Sequence, residues 1–134
     1  MIWDESDERD WRITGTWKWT LKEDCLQVPN HHGVFLFADS KHRIKYIGLV
    51  QTENLGQELK GLFKKSQGYG SSRFKILFTS DEEQAYSLKL SLEGKYDPPN
   101  NQDLKTQRLR SSLRKYSSHS ENWLAPLYFK TPIK

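Results

Sequence analysis

Lys105, Arg108, Arg110, Arg114 and Lys115 put five cations into eleven residues, with no acidic residue among them. Such a run can neutralise phosphates and so hold a nucleic acid. It is equally the solvated face of an ordinary helix, and the residue types leave both readings open. A second stretch with chemical content is 33–48, Gly-Val-Phe-Leu-Phe-Ala-Asp-Ser-Lys-His-Arg-Ile-Lys-Tyr-Ile-Gly. It carries two aromatic rings eleven positions apart, Phe35 and Tyr46, the second with a hydroxyl that can donate or accept a hydrogen bond. Other constellations are weaker. His31, His32 and His42 with Asp39 match no zinc-ligand spacing, so no metal site is expected from them. Cys25 has no nucleophile–base pattern around it. Gly68-Tyr69-Gly70 falls between a helical pattern and a strand pattern, the reverse of the order that a phosphate-binding glycine loop needs.

The elements that must position these residues follow from periodicity. Residues 34–38 and 44–49 are short apolar runs around polar 39–43, which predicts a β-hairpin. Gly33 opens the first run and Gly48 lies near the end of the second, where a missing side chain lets backbone or ligand approach closely. Upstream, residues 1–10 are acidic and are expected to fray or lie on the surface. Residues 11–21 place Trp11, Ile13, Gly15, Trp17, Trp19 and Leu21 on one parity. That period of two predicts a half-buried strand, with the tryptophans in the core rather than exposed as base-stacking platforms. Residues 22–32 form a connector with its turn signal at Pro29-Asn30.

Downstream of the hairpin, Leu55, Leu59, Leu62 and Phe63 share one face of a helix over 51–65, with Thr52 as its N-cap. Gly56 and Gly61 weaken that helix by about 1 kcal/mol each relative to alanine. Residues 73–79 alternate as a further strand. Ser80 is the expected cap of a second helix that buries Ala85, Leu88, Leu92 and Tyr96, and Asp97-Pro98-Pro99-Asn100-Asn101 ends it. Residues 104–116 read as a third helix with Leu109, Leu113 and Tyr116 inward, and 122–134 as an extended tail that packs back on the core.

A chain of 134 residues is expected to be one domain. Aromatic residues make up 13% of it, five of them tryptophan, so rings should fill much of the core. A single cysteine excludes an internal disulfide and fits a reducing compartment. No apolar run approaches the ~20 residues of a membrane helix, and the acidic N-terminus lacks a signal-peptide pattern. The expectation is a soluble cytoplasmic protein without a membrane partner. A net charge of +4 and a pI near 9.1 permit nucleic-acid binding without demanding it.

Gly33-Val34-Phe35 and Tyr46-Ile47-Gly48, at this spacing and after Val28-Pro29-Asn30, resemble the paired signature of the GIY-YIG nuclease superfamily. The resemblance implies an α+β fold in which a small central antiparallel sheet is flanked by helices. On it the chain divides into a Trp-rich extension over 1–32, a core over 33–102, and a basic helix with tail over 103–134. It also implies hydrolysis of a phosphodiester at one divalent metal. Two signature tyrosines position and deprotonate water, an arginine on the first helix stabilises phosphate charge, and a glutamate on the second ligates Mg²⁺.

Carried over position by position, these roles meet substitutions. Tyr46 is the second tyrosine, but Phe35 replaces the first and lacks a hydroxyl. Glu58 stands where the arginine is expected. Counting back from Tyr96 and Pro98 puts Lys89, in Ala85-Tyr86-Ser87-Leu88-Lys89, at the metal-ligand position, with Glu93 one turn further on. Asn101 corresponds to the asparagine of the family's exit from that helix. The resulting expectation is a vestigial site of Phe35, Tyr46, Glu58, Lys89 and Asn101, with Glu58 and Lys89 paired across it or else unrelated surface charges. No cofactor is expected, and the leading function is a catalytically inactive module that binds DNA through Lys105, Arg108, Arg110, Arg114 and Lys115. The alternative is an active Mg²⁺-dependent endonuclease that uses Tyr46 and Glu93. A second alternative is a protein-interaction subunit.

Overall fold

A computed structural model describes residues 1–101 apart from Thr52. The basic segment with Lys105, Arg108, Arg110, Arg114 and Lys115, and the tail after it, lie outside the described residues. The elements are β1 (Ile13–Leu21), β2 (Gly33–Ala38), β3 (Ile44–Leu49), α1 (Leu55–Phe63), β4 (Arg73–Thr79) and α2 (Glu82–Tyr96). A short 3-10 helix, Lys22–Gln27, joins β1 to the β2 approach. All strand pairings are antiparallel, in the order β1-β4-β2-β3. This is the α+β sheet-and-helix arrangement that the sequence implied.

The centre of the sheet explains the apolar runs. β2 lies between β3 and β4, and all six of its residues are buried. Its alternation splits the core in two. Val34, Leu36 and Ala38 face Leu88, Leu92 and Tyr96 of α2, while Phe35 and Phe37 face Leu55 and Leu59 of α1. A strand covered on both faces reads as a continuous hydrophobic run rather than an alternating one. Each fully buried Leu or Phe here stabilises the fold by roughly 1.5–3 kcal/mol.

Several expectations are corrected. The α1 N-cap is Asn54, whose Oδ1 accepts the Gln57 N–H, and not Thr52. The α2 cap is Asp81, accepting the Gln84 N–H at 2.8 Å, one residue after the expected Ser80. In both cases a side chain with a carbonyl or carboxylate oxygen, placed three residues before an orphan N–H, wins the position. The N-terminus lies on the surface except at one residue. Trp3 is only 6% exposed and stacks on Tyr96 with ring centroids 5.2 Å apart. The strand tryptophans are less buried than expected: Trp17 and Trp19 are half-buried, and Trp11, before β1, is 78% exposed. β1 is an edge strand with two register shifts along β4, so its parity does not hold one face against the core.

Candidate functional site

The hairpin places its two rings together. Phe35 and Gly48 are direct partners across β2 and β3, and the Phe35 and Tyr46 ring centroids lie 5.9 Å apart. A Cβ on Gly48 would stand 2.2 Å from the Phe35 Cζ, so the ring lies directly over that residue. Gly33 has a comparable reason: its Cβ would come within 2.5 Å of the Leu77 carbonyl oxygen on β4. The two glycines that flank the hairpin are thus fixed by close approach.

Beyond the rings, α2 and the segment after it supply polar groups to the edge of β3. Asn101 accepts the Ile47 N–H and donates to the Ile47 carbonyl, both at 2.8 Å, as a neighbouring strand would. Its Nδ2 also donates to Glu93 Oε2 at 2.8 Å. The other carboxylate oxygen, Oε1, takes the Lys89 ammonium at 2.8 Å. Glu58, in the first turn of α1, accepts the Gln51 N–H at 3.4 Å.

Tyr46 reports on the electrostatics. Burial, then the negative charges of Glu93 and Glu58, push its phenol above the usual value. Each of these disfavours the phenolate, so at neutral pH Tyr46 is a hydroxyl that does not readily give up its proton. Of the two carboxylates that act on Tyr46, Glu93 has the Lys89 ammonium as its counter-charge.

The structure therefore brings Tyr46, Glu93 and Asn101 to the β3 edge, with the Phe35 ring of β2 packed against Tyr46, Glu58 acting on Tyr46 and Lys89 on Glu93. Glu58 and Lys89 are expected either to pair or to be unrelated charges; the carboxylate on the Lys89 ammonium is Glu93, one turn along the same helix. Glu93, set aside in the sequence in favour of Lys89, is the residue whose carboxylate reaches Asn101. His31 and His32 line a cleft of ≈ 400 Å³ with Asn30, Val50, Gln51, Glu53 and Glu82. Among the described residues no group of three or more His, Cys, Asp or Glu side chains could hold a metal.

One feature of the α1 surface was not read from the sequence at all. Lys22, Lys60, Phe63 and Lys64 line a cleft of ≈ 220 Å³ between the start of the 3-10 helix and the second half of α1. Lys22 and Lys60 are too distant in the chain for any local pattern to join them. Cleft and site lie on different sides of α1, since Lys60 follows Glu58 by two residues, about 200° round a helix axis.

The fold has solved counterparts. It resembles the GIY-YIG N-terminal endonuclease domain of UvrC from Thermotoga maritima bound to its catalytic magnesium, with a TM-score of 0.51 and 22% identity over 60% of this chain and 94% of that one. A point variant of that domain, also bound to its divalent cation, gives a TM-score of 0.51 and 23% identity over 61% and 94% of the two chains. No protein-family model matches the sequence, and no curated protein matches it. The chain has the GIY-YIG fold.

That fold raises the question of a divalent cation, and the described residues at this site do not fit one. Hard cations need several oxygen ligands. Here one oxygen of Glu93 holds an ammonium and the other an amide N–H, and Lys89 brings a positive charge to where a cation would need a negative one.

Proposed function

We propose that this GIY-YIG-fold chain is a DNA-binding module without nuclease activity. The observation that carries the reading is the Lys89 ammonium on Glu93 at 2.8 Å. It gives the Glu93 carboxylate a resident counter-ion. The pair is half-buried and spans one turn of a single helix; such i,i+4 pairs contribute only about 0.3–0.5 kcal/mol at exposed positions, so its effect on site chemistry outweighs its effect on stability. Phe35 adds a ring that cannot relay a proton, and Tyr46 keeps its proton at neutral pH, so no phenolate is at hand as a base. Glu58 brings negative charge where a phosphodiester would need positive. DNA is the partner that the fold and the basic run Lys105, Arg108, Arg110, Arg114 and Lys115 favour.

The alternative, a Mg²⁺-dependent endonuclease using Tyr46 and Glu93, draws on one observation. Glu93 is held by Asn101 at the strand edge, and its charge acts on Tyr46. Incubation of the protein with supercoiled plasmid and Mg²⁺ or Mn²⁺ separates the two. The expected result is intact plasmid. Nicking or linearisation that disappears in Glu93→Ala would overturn the inactive reading.

A further inference from the structure

We propose that DNA lies not across the Tyr46 edge of the sheet but in the cleft lined by Lys22, Lys60, Phe63 and Lys64, on the other side of α1. The inference rests on the DNA-binding reading and adds the location. Charge favours the cleft. At the Tyr46 edge the Lys89 ammonium is already held by Glu93. In the cleft, three of the four lining side chains, among the described residues, are lysines and none is acidic. All three are exposed, and they come from two segments, so their ammonium groups border a concave space. Lysine suits phosphate as a mobile point charge.

Phe63 gives the cleft its wall. Its ring stacks on Phe37 of β2 at 4.0 Å and 16°, and Phe37 is fully buried. The ring is thus backed by the core rather than free to swing. A fixed apolar surface bordered by lysines fits a sugar-phosphate backbone, with the sugar or an unstacked base against the ring and phosphates on the ammonium groups. The sequence alone gives Lys64 only as a helix-terminal charge; packing the 3-10 helix against α1 makes it part of a surface.

The test is fluorescence anisotropy of labelled duplex and single-stranded DNA with the full chain, across a salt series and in EDTA. The triple variant Lys22→Glu/Lys60→Glu/Lys64→Glu is compared with the milder Lys22→Gln/Lys60→Gln/Lys64→Gln, and circular dichroism checks that each is folded. The expected result is a loss of about tenfold or more in affinity at ~50 mM salt for the glutamate variant, a smaller loss for the glutamine variant, and a salt dependence shallower by about one unit of slope for each phosphate contact removed. Unchanged affinity and slope in both variants, with wild type still binding, would overturn the location and leave the DNA reading standing. So would a tenfold tightening in Glu58→Gln/Glu93→Gln, because it would place phosphates over the Tyr46 edge. If wild type binds no DNA at ~50 mM salt, where phosphate contacts are strong, the DNA reading and the location fall together.

Discussion

Gly48 is the residue on which the hairpin depends most directly. Phe35 fills the space where its side chain would be, with the ring's Cζ at 2.2 Å from an added Cβ. Phe35 is itself 1% exposed and packed against Phe37, so it has little room to retreat. Gly48→Ala should therefore cost about 1–3 kcal/mol, the usual range for overpacking, measured as a lower urea midpoint at unchanged m-value. Phe35→Leu in the same chain should recover part of that loss, because it removes the atoms in the way. A Gly48→Ala protein as stable as wild type would mean that the ring moves freely. The sequence identified this glycine by its place near the end of an apolar run. It could not say that a ring on the facing strand was the reason, since that depends on register.

The turn between β2 and β3 holds itself by a carboxylate. Asp39 Oδ1 accepts the backbone N–H groups of Lys41 and Arg43, and Oδ2 accepts the Arg43 Nε–H at 2.6 Å. Burial opposes ionisation, but these donors outweigh it and hold the carboxyl at about 2, against an ordinary value of 3.8. A folded-state value below the unfolded one contributes stability that is present above the unfolded value and lost as pH falls. The Asp39 contribution should thus be complete above about pH 4 and fade towards pH 2. Asp39→Asn should lower the urea midpoint near neutral pH and flatten its decline over that acid window; an undiminished decline would place the acid sensitivity elsewhere. Both helix caps teach a related lesson. Asn54 and Asp81 took the roles expected of Thr52 and Ser80, each within two positions. Adjacent polar residues compete for a cap, and the tertiary approach of the chain settles which one reaches the orphan N–H.

Across the molecule, the N-terminal arm ties the β3 edge to α2. Trp3 donates its N–H to the His42 carbonyl at 2.9 Å, and the Ile44 N–H donates to the Met1 carbonyl at 2.8 Å. Trp3 stacks on Tyr96, whose hydroxyl accepts the Asp4 N–H and donates to Asp7. Glu8 pairs with Lys75, which is only 6% exposed, and accepts from the Trp3 indole. Acidic residues that look like solvent-facing filler in the sequence thus neutralise buried or half-buried cations. Trp3→Ala should cost about 3–5 kcal/mol, the range for removing a buried tryptophan. Thermal and urea unfolding would measure it, and a loss under 1 kcal/mol would mean that the arm is peripheral to the fold.

The sequence by itself determined the hairpin, α1, α2 and the faces these two helices bury. Each of those is a local pattern: period two, period 3.6, or glycine and proline punctuation over a few residues. It also determined that Phe35 has no hydroxyl to give. Only the tertiary structure decided that Lys89 sits on Glu93, that Asn101 pairs with Ile47, that Trp3 enters the core, and that Lys22 joins Lys60 and Lys64 around Phe63. A charged side chain can reach several partners, and its choice depends on which backbones packing has brought within a few ångströms. Periodicity carries no information about that.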